Sequence, residues 1–217
     1  MSTPQNKLSS DSPFPDDKSC DAGSCARDRI FDAAKKLFYR LGLRGVSVDA
    51  IAAEADTTKV TFYRVCESKE DLVVKVLEDQ SQRFWNWCDS IVAKHEGDAR
   101  AQLDALFADI RERIAGDNAD RGCVLCNAAV EIVEEEHPGR EVIRAHRAEL
   151  AKRLRDLCRA MGARQPEVLG DALSLLLSGM FSARIDSKAP EQFGSVYDAA
   201  KALIESPALG IGAKSKR

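Results

Sequence analysis

Apolar residues recur at helical spacing in successive stretches along this chain, and polar residues, Gly or Pro separate one stretch from the next. This pattern constrains the fold more than any other feature, because a repeat of about 3.6 residues presents one apolar face only when the segment is helical. The chain is also rich in Ala, Leu, Arg, Asp and Glu, which favours helix over strand. We therefore predict an all-α protein.

The overall composition is that of an ordinary globular chain. It has 217 residues, of which 44% are hydrophobic and 31% charged, and this balance excludes collagen-like and wholly disordered proteins. No apolar run approaches the ~18 residues of a membrane span, and the N-terminus lacks the pattern of a secretion signal. We expect a cytoplasmic protein that does not bind membranes.

The two ends of the chain differ from its middle. Residues 1–24 are rich in Ser, Asp and Pro and contain too few apolar side chains to offset the entropy of ordering. We predict a disordered arm over residues 1–24 and a flexible tail over residues 207–217. Between them, residues 25–70 form a unit of short helices and residues 71–206 a longer helical part.

The unit of short helices has recognisable start and stop signals. A first helix begins near Ala26 and ends at Gly42, which accepts left-handed backbone geometry. Ser47 and Thr58 can cap two further short helices, and Ser68 can cap a long fourth one. Two short helices joined by a three-residue turn, with a supporting helix before them, are typical of a helix-turn-helix DNA reader.

The third helix carries the chemistry that a DNA reader needs. Hydroxyl, basic and phenol side chains crowd onto about seven residues, and burying them would cost several kcal/mol in total. Residues 27–69 carry nine basic and six acidic side chains, although the whole chain has a net charge of −3. The polar side chains of this helix are Thr58, Lys59, Thr61, Tyr63 and Arg64.

Residues 27–72 resemble the DNA-binding region of the TetR/AcrR family of bacterial transcriptional regulators. The resemblance rests on a set of residues in matching order, namely Ala33, Ala34, Leu37, Phe38, Gly42, Ser47, Val48, Ile51, Ala52, Lys59, Thr61, Tyr63, Ser68, Lys69 and Leu72. It implies an N-terminal three-helix helix-turn-helix domain and a C-terminal helical domain for ligand binding and dimerisation.

The resemblance also implies which residues contact double-stranded operator DNA. Thr61, Tyr63, Lys69 and Ser47 would lie against the phosphate backbone, and base edges would fall to Thr58, Lys59, Val60 and Arg64. Three positions depart from the usual pattern of the family. Asp56 replaces a turn Gly, Val60 replaces a smaller residue, and Cys66 replaces a core aromatic residue.

The C-terminal part is too long to serve DNA binding alone, so it must sense, dimerise or both. By the resemblance, the last two long helices of two subunits pair as a homodimer. The predicted seam consists of Leu169, Leu173, Leu176, Leu177, Met180, Val196, Tyr197, Ala200 and Leu203. An intramolecular core helix remains the alternative for the leucine stripe.

A pocket for an unidentified small-molecule effector is expected in the same domain, with mainly apolar walls and a few polar groups. Our candidate lining residues are Phe84, Trp85, Cys88, Phe107, Cys123, Asn127, Glu131, His146, Met180 and Phe181. The two tryptophans of this helix point to different sides, so we expect at most one to face the cavity. We expect no cofactor.

The seven cysteines do not indicate a disulfide framework, because an odd number cannot all pair within a reduced cytoplasmic chain. Cys123 and Cys126 share one face near a helix start, and the helix dipole and Arg121 would favour a Cys123 thiolate. A thiol-based redox or electrophile sensor is therefore an alternative function. A metal site is not expected, because one Cys-x-x-Cys with distant histidines lacks a second tight ligand pair.

Two other classes of function fit the sequence less well. An enzyme is disfavoured, since the chain has no Walker loop, no GxGxxG after a strand, no HExxH and no GxSxG. A helical adaptor that does not bind DNA remains an alternative because of Asp56 and Cys66. The sequence best fits a transcriptional regulator, with repression relieved by an effector as the expected mechanism.

Overall fold

The computed structural model describes residues 25–115, 122–183 and 191–211, and these residues form helices, turns and loops without any strand. The all-α prediction is therefore confirmed. In chain order the helices are α1 Ala26–Leu41, α2 Val48–Glu54, α3 Lys59–Val65, α4 Lys69–Val92, α5 Ala99–Ala115, α6 Val124–Glu131, α7 Gly139–Ala160, α8 Pro166–Ala183 and α9 Glu191–Glu205, with a short 3-10 turn Ala93–His95 after α4. The predicted arm over residues 1–24 lies outside the described residues.

The predicted helix caps of the N-terminal part are confirmed. Ser47 Oγ accepts a hydrogen bond from Ala50 N at 3.1 Å at the start of α2. Thr58 Oγ1 accepts from Thr61 N at 3.1 Å at the start of α3, and Ser68 caps α4 in the same way. Each cap satisfies a backbone donor that the first helical turn leaves unpaired.

The turn between α2 and α3 depends on a left-handed residue. Asp56 has φ of 46° and is the one residue other than Gly with positive φ in the described ranges. Asp tolerates this conformation better than most side chains. It therefore takes the place of the Gly that the resemblance assigns to this turn.

Helices α1, α2 and α3 enclose the first part of the core. Ile30, Ile51 and Phe62 are each fully buried, one from each helix. Cys66 is also buried, with 6% of its surface exposed, so a thiol occupies the core position that the resemblance assigns to an aromatic ring. Leu72 of α4 joins the same cluster, and α4 thus belongs to both parts of the molecule.

The C-terminal part is a bundle in which α7 and α8 form the most extensively packed pair. Gly170 permits their close approach, because a Cβ there would lie 2.6 Å from the backbone nitrogen of Arg155. Helix α4 packs against α5, α6 and α7, and α9 packs against α5 and α8. None of the helices in the described ranges combines the length and apolarity needed to cross a bilayer.

Two segments differ from the sequence prediction. Helix α6 is shorter than the predicted stretch over residues 121–135, because Ile132 leaves helical geometry and buries its side chain in the core. Residues 207–211, predicted as part of a flexible tail, turn back onto the α7–α8 loop. There Gln165 N donates to Leu209 O at 3.0 Å. In addition, Ile211 N donates to Ile204 O near the end of α9 at 3.0 Å.

Candidate DNA-binding surface and regulatory site

Helix α3 buries one side chain and presents the others outward. Phe62 is fully buried between α1 and α2, whereas its neighbours Val60 and Tyr63 are 80% and 52% exposed. The Phe62 and Tyr63 rings meet edge to face, with their centroids 5.3 Å apart. Phe62 thereby anchors the helix and fixes the direction in which Tyr63 leaves it.

The hydroxyl groups predicted to contact DNA lie at the starts of α2 and α3. Thr58 is exposed and Thr61 is half-buried, and their Oγ1 atoms are 3.1 Å apart. Ser47 is exposed at the start of α2. All three side chains are held by backbone or hydroxyl hydrogen bonds, which reduces the entropy lost on contact with a partner.

The charged side chains of this surface are only loosely held. Lys59 Nζ lies 3.1 Å from Asp49 Oδ2 in an ion pair in which both side chains are more than half exposed. Such a pair contributes at most about 1 kcal/mol in water. Arg64 is exposed and Lys69 half-buried, so all three cations can turn toward a polyanion.

Glu131 lies outside the ligand pocket that it was predicted to line, so this prediction is wrong. Its Oε2 accepts hydrogen bonds from Leu43 N at 2.5 Å and from Arg44 N at 3.3 Å, in the turn between α1 and α2. Arg44 also donates to Glu134 Oε1 at 2.5 Å. The end of α6 is therefore joined to the DNA-binding unit by a carboxylate, and no periodicity in the sequence could have indicated a contact between such distant residues.

A cavity of about 20 Å³ lies between α4, α6, α7 and α8. Four of the predicted pocket residues line it, namely Phe84, Cys123, His146 and Phe181. The remaining lining residues were not predicted, although Cys126 belongs to the Cys-x-x-Cys motif; they are Leu125, Cys126, Ile143, Arg147, Leu150 and Ser178. A volume this small holds about one or two water molecules.

A wider, open groove of about 570 Å³ runs along the outside of α4 and α7. Trp85 lines it, and Glu78, Glu141 and Glu149 stand on its rim. Arg153 lies over the Trp85 ring, 4.5 Å from its centroid. The other tryptophan of α4, Trp87, is buried and donates through Nε1 to Asp109 Oδ2 at 2.9 Å, so the two rings do point to different sides.

His146 separates the cavity from the groove and lines both. Its Nδ1 lies 2.9 Å from Ser81 Oγ, and its ring packs against Phe84 and Trp85 with centroid distances of 5.0 and 4.8 Å. Burial, with a smaller contribution from Arg147, lowers the pKa of His146 from 6.5 to about 4. The imidazole is therefore neutral at physiological pH.

The other predicted pocket residues do not line either space. Cys88, Phe107 and Met180 are buried in the core, where they pack against other apolar side chains instead of facing a void. Asn127 is half-buried on α6. These residues were predicted because apolar periodicity identifies the inward face of a helix but does not distinguish packed core from cavity wall.

Cys123 and Cys126 lie together at the start of α6, and their thiols share a hydrogen bond. That bond lowers the pKa of Cys126 to about 7, with further contributions from Ser182 and Arg147. The same bond, together with burial, raises the pKa of Cys123. The thiolate thus belongs to Cys126, which corrects the prediction of a Cys123 thiolate; Arg121 lies outside the described residues.

The leucine stripe of α8 is mostly intramolecular core. Leu169, Leu173, Leu177, Met180 and Ala200 expose no more than 2% of their surface within one chain, so they cannot form the predicted seam with a partner subunit. Their spacing marks the inward face of the bundle. The other predicted seam residues, Leu176, Val196, Tyr197 and Leu203, are half-buried.

The outward face of α8 carries apolar side chains that were not among the predicted seam residues. Val168 is 51% and Leu175 73% exposed, and a separation of seven residues places them on one face of the helix. Gly179 on the same face is open to solvent.

No group of three or more potential metal ligands occurs within the described ranges.

Comparison with known proteins identifies the DNA-binding unit. Residues 30–76 match the bacterial regulatory proteins of the tetR family. A comparison with curated protein sequences found no match.

The whole fold also recurs in solved structures. The chain is similar to a TetR-family transcriptional regulator from Streptomyces coelicolor, with 26% identity, a TM-score of 0.76 and coverage of 82% of this chain and 93% of that one. It is similar to a protein from Streptomyces avermitilis assigned as a TetR transcriptional regulator, with 25% identity, a TM-score of 0.67 and coverage of 82% and 99%.

A third similar structure is the TetR-family transcriptional regulator CifR, a cysteine mutant in complex with 26bp double-strand operator DNA, with 22% identity, a TM-score of 0.67 and coverage of 81% of this chain and 93% of that one. Proteins of this family are transcriptional regulators and not enzymes. Residues 30–76 thus carry the helix-turn-helix segment of the tetR family of bacterial regulatory proteins, and the chain as a whole shares the fold of TetR-family transcriptional regulators.

Proposed function

We propose that the protein is a homodimeric repressor that binds a palindromic operator and leaves it when a small-molecule effector binds the C-terminal part. The observation that carries the proposal is the outward face of α3, on which Val60 is 80% and Tyr63 52% exposed beside Lys59 and Arg64. This face is open to a partner, which favours a DNA reader over an adaptor without DNA binding. The protein would act in the cytoplasm, where the DNA is.

The exposed side chains divide into two groups by chemistry. Ser47, Thr61, Tyr63 and Lys69 offer hydroxyl or ammonium groups to phosphates, which fix the position of the protein on the duplex. Thr58, Lys59, Val60 and Arg64 would reach base edges in the major groove, where the Val60 methyl groups can pack against a thymine methyl.

To contact DNA, the Lys59 ammonium group must leave the Asp49 carboxylate. Its ion pair with Asp49 is exposed and weak, so the change costs little. That CifR, a protein of the same fold, is known with operator DNA supports a duplex as the partner.

Dimerisation gives the two DNA-binding units a fixed spacing. We propose that the partner subunit covers the exposed face of α8 around Val168, Leu175 and Gly179, together with the half-buried Leu176 and the outer side of α9. An exposed apolar face of this kind is typical of an interface. Two units about 34 Å apart can then reach successive major grooves of one DNA face.

The groove between α4 and α7 is our proposed effector site. Its volume of about 570 Å³ suits a small molecule, whereas the inner cavity of about 20 Å³ does not. A ligand there would contact α4, whose first turns belong to the DNA-binding core. Binding that favours a different position of α4 would change the spacing of the two units and release the operator.

The test is a gel shift with duplexes selected from random sequence and with DNA that flanks the gene. Lys59→Ala and Tyr63→Ala should each weaken binding about tenfold or more, because each removes a contact of about 1–3 kcal/mol. Lys94→Ala is the matched control, since Lys94 is an exposed lysine on the 3-10 turn far along the chain from α3. Unchanged affinity in both variants, or no affinity of the native protein for any duplex, would contradict the proposal.

A further inference from the structure

The start of α6 combines two thiols, a cavity and a partly accessible sulfur. Cys123 is buried and Cys126 is half-buried, and neither forms a disulfide. Both line the small cavity described above. Two cysteines three positions apart at a helix start bring their side chains to one face, so the two sulfurs can bond if the first turn of α6 adjusts to the geometry of a disulfide.

The surroundings prepare one of these sulfurs for reaction. The Cys126 sulfur accepts hydrogen bonds from Cys123 and Ser182 and lies near the Arg147 guanidinium, which together lower its pKa to about 7. A substantial fraction is therefore thiolate, the nucleophilic form. By contrast, burial raises the pKa values of Cys88 and Cys158 to about 12, so these thiols serve as internal controls.

The opposite end of α6 holds the DNA-binding unit. The helix spans eight residues, Val124–Glu131, or about 12 Å along its axis. Its last residue, Glu131, accepts hydrogen bonds from Leu43 N and Arg44 N. A movement of the first turn of α6 therefore has a direct route to the turn before α2.

We propose that Cys123 and Cys126 form a dithiol switch that a small peroxide oxidises to a disulfide, and that closure of this bond moves α6 and loosens the hold of Glu131 on the DNA-binding unit. The size of the cavity restricts the oxidant to a molecule close to the size of hydrogen peroxide. Oxidation would thus act through a covalent change at α6, separately from ligand binding in the groove. Its effect on transcription rests on the proposed DNA-binding function, but the chemistry and the movement of α6 do not.

The reaction has two steps. In the first, the Cys126 thiolate attacks one oxygen of hydrogen peroxide, a sulfur–oxygen bond forms, the oxygen–oxygen bond breaks, and the departing hydroxide takes a proton to leave as water. In the second, the Cys123 sulfur attacks the sulfur of the Cys126 sulfenic acid, and hydroxide leaves with the Cys123 proton as a second water. Two thiols lose two electrons in total, and the peroxide gains them.

The chemical test treats the full-length protein with a small excess of hydrogen peroxide and maps the cysteines by mass spectrometry. We expect a Cys123–Cys126 bond, reversed by dithiothreitol, while Cys88 and Cys158 stay reduced. Cys126→Ser should stop oxidation at this site, and Cys123→Ser should trap the Cys126 sulfenic acid. Cys158→Ser is the matched control and should oxidise as the native chain does. A reduced pair after treatment, or a bond to another cysteine instead, would overturn the proposal.

The coupling is tested by hydrogen exchange at the amides of Leu43 and Arg44. Oxidation should speed exchange at both amides several-fold in the native chain and leave them unchanged in Cys126→Ser. If the disulfide forms and these amides keep their protection, the switch is wrong even though the chemistry occurs. A gel shift is the last readout: a protein that binds no DNA in the reduced state refutes the proposed function, whereas one that binds equally in both states refutes only the switch.

Discussion

At the scale of single residues, the carboxylate of Glu131 joins two parts of the molecule that are distant in sequence. It accepts hydrogen bonds from two backbone donors of the α1–α2 turn. Gly42, with φ of 78°, makes room for it, because a Cβ there would lie 2.7 Å from a Glu131 oxygen. The turn and the carboxylate therefore depend on each other.

Replacing Glu131 should weaken this junction. Glu131→Ala leaves the buried Leu43 N without its acceptor, and hydrogen bonds to charged groups contribute about 1.5–3 kcal/mol. We expect the free energy of unfolding, measured in urea, to fall by about that amount. Glu135→Ala removes an exposed neighbouring carboxylate and should change it by less than about 0.5 kcal/mol. Equal effects of the two substitutions would show that the Glu131 contact does not matter.

His146 should make stability depend on pH. Its pKa is about 4 in the fold and near 6.5 when unfolded, so the unfolded chain binds a proton first as the pH falls. Stability from this residue is complete above pH 6.5 and is lost as the pH falls toward 4, on the order of 3 kcal/mol in total.

The measurement compares urea unfolding of the native chain and His146→Gln at pH 7.5 and pH 5. The native chain should lose more stability between these pH values than the variant does. His95→Gln replaces a half-buried histidine outside the cavity and should keep the native pH dependence. If His146→Gln lost as much stability between pH 7.5 and pH 5 as the native chain, the lowered pKa of His146 would be contradicted.

At the scale of secondary structure, the short helices were predictable because their signals are local. Ser47, Thr58 and Ser68 each cap the helix that follows within three residues, and such capping can be recognised in the sequence. The end of α6 was not predictable in this way. Ile132 leaves the helix because it packs into the core, and this packing depends on residues far away in the chain.

The α2–α3 turn offers a prediction about backbone geometry. Asp56 holds φ of 46°, which Gly adopts without strain and a β-branched residue adopts only at a cost. Asp56→Gly should leave the melting temperature unchanged or raise it slightly, and Asp56→Val should lower stability by about 1–2 kcal/mol. If calorimetry showed that Asp56→Val melts at a higher temperature than Asp56→Gly, the left-handed conformation of this turn would be contradicted.

At the scale of the whole molecule, the arrangement of the helices decides which apolar residues remain outside. The stripe that includes Leu169 and Leu173 satisfied the expectation for a dimer seam, yet these residues are fully buried in one chain. Periodicity identified them as apolar and aligned, but whether such a face meets another helix of the same chain depends on packing. The same limit explains why Leu175 was overlooked and why core residues such as Phe107 were assigned to the pocket.

Self-association should therefore depend on the exposed face of α8. Leu175→Asp places a charge where we propose that the partner subunit packs, and burial of an unpaired charge is costly. We expect the variant to sediment as a monomer and to lose operator binding while its circular dichroism stays helical. Val130→Asp is the control, since Val130 is 79% exposed on α6. A dimeric Leu175→Asp protein would require a different interface.

The core runs without interruption from α1 through α4 to α9, and the family match extends to Val76, beyond the boundary expected at residue 70. A chimera in which this DNA-binding unit is joined to the C-terminal part of another regulator should therefore include the first turns of α4. It should also keep a partner for the backbone donors that Glu131 accepts from in this protein. A boundary at residue 70 would exclude Leu72 and Val73, and the transferred DNA-binding unit would then lack part of its hydrophobic core.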